Sequence, residues 1–133
     1  MSDAPSQRPL DQRLRNRMAE AVDLFADWEN VLPFLGAVGS FNFFFDVFPD
    51  QPPLPPNTAL TEPERAALTR VLVMVEEACS ATLPDVTEDQ LIASGWPQRI
   101  APEARAALAL MRVRGRFSGD AEEAEPSDRF TDL

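Results

Sequence analysis

The stretch Gly39–Pro56, GSFNFFFDVFPDQPPLPP, decides how the rest of the chain is read. Five of the nine phenylalanines fall within eight residues here, and five of the thirteen prolines occupy the next eight. The segment is a strand, a membrane anchor, or a helix followed by a stiff connection. As a strand, Phe41, Phe43, Phe45 and Val47 share one face, but the other face mixes Asn42 and Asp46 with Phe44 and Phe48. As a helix, Phe41, Phe44, Phe45 and Phe48 recur at i, i+3, i+4 and i+7, while Asn42 and Asp46 fall together elsewhere. The helical period separates polar from apolar better, so the reading is a short helix stopped before Pro49. Phe43 and Val47 then lie on its flank, where surplus apolar surface is expected.

The uncharged run around this cluster, residues 31–45, is shorter than the roughly 20 residues a bilayer-spanning helix needs. Pro33, Gly36 and Gly39 interrupt it further, and no membrane association is expected. Gly36 and Ser40, four apart, suit close helix packing. Upstream, Leu10, Leu14, Met18, Ala21, Val22, Phe25, Trp28 and Leu32 recur every three or four residues, one face of an amphipathic helix that Pro33 kinks or ends near Val31. Downstream, residues 49–57 form a proline-rich spacer of extended character.

Thr61-Glu62-Pro63-Glu64 carries three concordant helix-start signals: a capping Thr, a Pro in the first turn and a Glu three residues on. The helix it opens bears Leu68, Leu72, Val75 and Cys79 as one stripe, widened by Val71, Met74 and Ala78, and is expected to be central. On that stripe Cys79 reads as a buried small hydrophobe. Thr87-Glu88-Asp89-Gln90 is a second capping box, opening a short helix that Gly95 caps, with Trp96 against Leu91 and Pro97 as the stop. A last helix is predicted from Pro102 to about Arg114.

The fold class these signals give is all-α: a single-domain bundle of four to five helices, with the proline-rich segment across its surface. Within the 133 residues, 1–8 read as a flexible lead, 9–117 as the helical domain and 118–133 as an acidic tail, disordered or draped over arginines.

Composition narrows the function. The chain holds no His, no Tyr and no Lys; all twelve basic residues are Arg. Without His it lacks the usual general base of hydrolases and the commonest metal ligand, and without Lys it has no Schiff-base or P-loop lysine. A net charge of −10 repels nucleic acid, so no nucleic-acid partner is expected. One cysteine and no apolar leader suggest a cytoplasmic setting.

Candidate sites follow from what remains. Phe43, Val47, Pro53, Leu54, Pro55 and Pro56 combine flank aromatics with a P-x-x-P pattern, an apolar patch suited to a protein partner. Arg105, Arg112 and Arg116 share a face that could take a phosphate or carboxylate, or the acidic tail. Carboxylates at Glu20, Asp23 and Asp27, with Glu76 and Glu77 on another helix, would hold Mg²⁺ only if several converged. The expectation is a non-enzymatic protein–protein interaction module without metal or cofactor: an accessory subunit, an immunity- or antitoxin-like inhibitor, or a small regulator. Its partner is another protein or a second copy in a homodimer. The alternative is a carboxylate-dependent Mg²⁺ enzyme acting on nucleotides.

Overall fold

A computed structural model describes residues 7–131. It is all-α, with five helices: α1 (Gln7–Ala26), α2 (Trp28–Val47), α3 (Glu62–Ala81), α4 (Glu88–Ser94) and α5 (Trp96–Arg114). Among the described residues there is no strand, only an isolated bridge between Arg116 and Asp128. Two parts of the sequence expectation fall partly outside this range: the lead, of which Gln7 and Arg8 already belong to α1, and the last two residues of the tail.

The central helix is α5, not α3 as the stripe on α3 suggested. It packs against α1 on one side and α3 on the other, while α4 touches both α2 and α5. The reason lies in side-chain size. Ala101, Ala104 and Ala107 are buried along α5, and such small residues let two neighbours approach it closely. Larger residues fill the seams: Ile100, Leu108 and Met111 from α5, Leu68, Val71, Leu72 and Val75 from α3, and Met18, Val22 and Phe25 from α1. Each such side chain fully withdrawn from water contributes about 1.5–3 kcal/mol.

The first break in the chain also differs from expectation. The helix from Leu10 was expected to run to Val31; instead α1 stops at Ala26 and the turn at Asp27 (φ −117°, ψ 37°) starts α2. Of the two outcomes expected of Pro33, a kink or an end, the end does not occur: Pro33 lies within α2, one turn in, where it forgoes a single backbone bond. The sharper interruption is Gly36, at φ 72° and ψ 172°, a backbone state open essentially to glycine alone. Ser40 answers the spacing to Gly36: its hydroxyl donates to the Gly36 carbonyl at 2.7 Å, satisfying an acceptor at the bend. Beyond the bend Phe41 and Phe44 meet Phe25, with ring centroids 6.3 and 5.7 Å away, and Phe44 stacks on Phe48 at 4.3 Å. The helical reading of the phenylalanine cluster thus places its inward face as the periodicity predicts, with Phe45 half-buried.

Both capping boxes form. The Thr61 and Thr87 side chains accept from the backbones of Glu64 and Gln90, whose side chains accept in return from the cap N–H groups. Gly95, left-handed at φ 82°, caps α4 and at the same time precedes the first turn of α5. Pro97 therefore serves as a starting residue, and α5 begins at Trp96, six residues before the predicted Pro102.

The tail over 118–131 runs back against α1. Gln12 donates through Nε2 to the carbonyls of Ser118 and Ala121, and Arg8 donates to those of Glu123 and Ala124. Arg116 and Asp128 exchange backbone hydrogen bonds at 2.9 and 3.1 Å.

Candidate functional site

Exposed apolar side chains occur on several elements, Leu10 on α1 and Leu110 and Val113 on α5 among them, but α2 carries the largest group. Phe34, just before the Gly36 bend, is 90% exposed, and Leu35 and Val38 are also exposed. Leu83, in the loop after α3, is 69% exposed. Between α2 and that loop lies an open cavity of about 210 Å³, lined by Val38, Phe41 and Asn42 from α2, Cys79 at the end of α3, and Leu83 and Val86 from the loop. The local sequence explains the opening. Thr82 ends α3, its hydroxyl donating to the carbonyl of Ala78, and the Leu83–Val86 turn then leads to the Thr87 cap without filling the space beside α2.

Cys79 is exposed, which corrects the expectation of a buried thiol. Periodicity aligned it with Leu72 and Val75, but in the last turn of α3 the buried place is held by Ala78, and Cys79 lines the cavity instead. Partial burial pushes its pKa up, and the charges of Glu76 and Asp50 push it further. The thiol is accordingly protonated and a poor nucleophile at neutral pH.

The residues singled out from sequence divide. Phe43 is 40% exposed, as a flank residue should be, while Val47 is half-buried against the core. Pro53, Pro55 and Pro56 are exposed, but Leu54 is only 2% exposed and belongs to the core cluster. Leu54 is thus withdrawn from the partner-binding set: the spacer is pinned by it, and Arg65 donates to the carbonyls of Leu54 and Pro55. Trp28 and Trp96 are partly buried against the core, with Arg99 stacked 3.8 Å from the Trp96 ring centroid.

Arg105, Arg112 and Arg116 have separate tasks. Arg105 donates to the Ala26 carbonyl, capping the end of α1 at 3.1 Å. Arg112 lies near enough to Asp23 to oppose the upward shift that burial and neighbouring Asp27 impose on that carboxyl. Arg116 sits beyond the end of α5, paired through its backbone with Asp128. Nor do the carboxylates gather: among the described residues no three acidic, Cys or His side chains converge as a metal site would need, Glu20, Asp23 and Glu76 included.

What the sequence reading missed is a buried ionic cluster where α1, α3, α5 and the tail meet. Arg15 is fully buried and donates to Glu64 Oε2 at 2.7 Å and to the Gly115 carbonyl at 2.7 Å. Arg114 donates to Glu64 Oε1 at 2.7 Å and bridges outward to Glu125. The ring of Phe117 lies about 5 Å from the guanidinium carbons of Arg8 (5.0 Å), Arg15 (5.1 Å) and Arg114 (5.5 Å). Burial alone would raise the Glu64 pKa, but the Arg15 and Thr61 hydrogen bonds and both guanidinium charges together hold it below the ordinary carboxylate value. Asn16 closes the cluster by pairing both ways with the Phe117 backbone, at 2.8 and 3.1 Å. Among the described residues every buried side-chain N or O atom has a hydrogen-bond partner, so the buried part of this cluster is saturated within the protein. The missed signal was the line Asp11, Arg15, Met18, Val22, Phe25, in which charged residues occupy inward helical positions.

No protein-family model matches this chain, and no curated protein or solved structure matches it either.

Proposed function

We propose that this protein is a non-enzymatic protein–protein interaction module, acting as an accessory subunit, an immunity- or antitoxin-like inhibitor or a small regulator. The observation that carries the reading is the apolar surface of α2 at the Gly36 bend, where Phe34, Leu35 and Val38 stand exposed and Val38 lines a cavity together with exposed Leu83. A large aromatic left almost wholly in water is seldom an isolated feature when three more exposed aliphatic residues belong to the same helix and the loop beside it. Interfaces are built from such apolar centres with polar rims, and aromatic anchors carry much of their energy. The clustered titratable groups that an active site would require are instead engaged structurally, as the saturated Arg15–Glu64–Arg114 cluster illustrates.

The test is affinity isolation of the full chain from its native host, run in parallel with Phe34→Asp. Phe34 makes so little contact with the rest of the protein that this change should leave the fold intact by circular dichroism. A protein retained by the wild type and lost with Phe34→Asp is the expected result. Recovery of the monomer alone, or of the same companions with both forms, overturns the reading.

A further inference from the structure

We propose that the cavity between α2 and the α3–α4 loop receives an apolar side chain from a positively charged amphipathic segment of another protein. This rests on the interaction reading above and specifies the chemistry of the partner. The cavity's size supplies the first argument. At about 210 Å³ it is smaller than the roughly 300–1,000 Å³ typical of small-molecule sites, and suits a single anchoring side chain. Val38 and Leu83 extend its apolar lining onto the open surface, so an entering residue would bring apolar neighbours with it.

Charge supplies the second argument and selects among occupants. No basic residue occurs between Arg17 and Arg65, nor between Arg70 and Arg99, so neither α2, the second half of α3, the loop nor α4 contributes a positive side chain. Acidic residues do border the cavity. Asp85 lies between two loop residues, Pro84 and Val86, that line it, and Asp46 follows Asn42 by one helical turn. Glu76 and Asp50 are close enough to Cys79, itself in the lining, for their charges to raise its pKa. An apolar socket with a one-signed negative rim attracts a cationic amphipathic segment and steers its approach. The same rim repels a second copy of this chain, which would bring an identical rim, and it repels an anionic lipid surface.

The test uses two designed helical peptides of about 18 residues, with the same leucine stripe and either arginine or glutamate on the polar face. Binding to the full-length protein is measured by fluorescence anisotropy. The arginine peptide should bind and the glutamate peptide should not. Affinity should fall about tenfold as ionic strength rises from about 0.01 M to about 0.1 M, because the screening length shrinks from about 30 Å to about 10 Å. Leu83→Asp and, separately, Asp85→Arg should each weaken the arginine peptide at least about tenfold; both positions are exposed, and circular dichroism checks that each variant is folded. Equal binding of the two peptides, binding of neither, or indifference to both substitutions overturns the inference. A dimer seen by sedimentation and dissolved by Leu83→Asp would overturn it in favour of a second copy. Preferential binding to phosphatidylglycerol vesicles would overturn it in favour of lipid. A host partner lost with Phe34→Asp but held through an acidic contact would overturn this inference alone and leave the interaction reading standing.

Discussion

Glu64→Gln is the substitution that tests the buried cluster most directly. The change preserves shape and keeps an oxygen able to accept from the Thr61 N–H, since glutamine serves in a capping box as glutamate does. What it removes is the negative charge between Arg15 and Arg114, 2.7 Å from each. The two arginines then fare differently. Arg114 is partly exposed and keeps Glu125, whereas Arg15 is fully buried and retains only neutral partners, the Gly115 and Met111 carbonyls and, 3.4 Å from its Nε, the oxygen left on residue 64. Removing one member of a buried pair typically costs about 3–5 kcal/mol, because the charge left behind is desolvated without compensation. The remaining carbonyl bonds place the expected loss near the lower figure, about 3 kcal/mol. That is a large share of the roughly 5–15 kcal/mol by which domains are stable. Urea titration followed by circular dichroism reads the change, and the melting temperature should fall by about 10 °C or more. Two companions sharpen the measurement. Arg15→Met should cost less than Glu64→Gln, since Glu64 keeps Arg114. The double variant Arg15→Met with Glu64→Gln should regain part of the single-variant loss, since no buried charge is then orphaned. A loss under about 1 kcal/mol for Glu64→Gln, or a double variant worse than the sum of the singles, would refute the reasoning.

The same carboxylate makes stability depend on pH. Its folded pKa lies below the ordinary value of 4.5, so its contribution is fully present above that pH and is lost as pH falls through the folded pKa. Acid titration of the wild type should therefore show a steeper decline below about pH 4.5 than Glu64→Gln does, and parallel curves would contradict this. Gly95→Ala should cost about 1–2 kcal/mol through its positive φ alone, because a Cβ there would meet nothing within 4 Å. Gly115→Ala should cost more, since its Cβ would fall 2.4 Å from the Asp128 carbonyl oxygen; limited proteolysis should then cut the loosened tail, and equal stability of the two variants would count against the docked tail. Cys79, exposed but with a raised pKa, should react with a disulfide reagent at neutral pH more slowly than free cysteine, and Glu76→Gln should speed it; reaction as fast as free cysteine would disprove the electrostatic account.

Much of the fold was legible locally. The Thr61 and Thr87 boxes, the left-handed Gly95 and the inward set Phe41, Phe44 and Phe48 are each decided within a turn or two of chain, where spacing and capping chemistry act directly. The prolines were harder, because a proline weakens a helix interior yet suits a first turn. Pro97 began α5 and Pro33 was carried inside α2, outcomes set by packing rather than propensity. The candidate surface was half legible: Phe43 is exposed as its flank position predicted, but Leu54 dips into the core within an otherwise exposed proline run. The most exposed aromatic, Phe34, had no distinguishing mark in a segment apolar on every side.

The amino-acid sequence by itself determined that this chain is helical, where three of its five helices are capped or stopped, and which catalytic groups it lacks. Only the tertiary structure decided which stripes are covered. A helical period says that Cys79 and Val75 point the same way, but not that Val75 is covered while Cys79, one turn on, is left exposed. It says equally that Arg15 lies in line with Met18, but not that Glu64, forty-nine residues on, arrives to neutralise it. Burial depends on what a distant segment brings to the same place, and that is a property of the fold rather than of any local pattern.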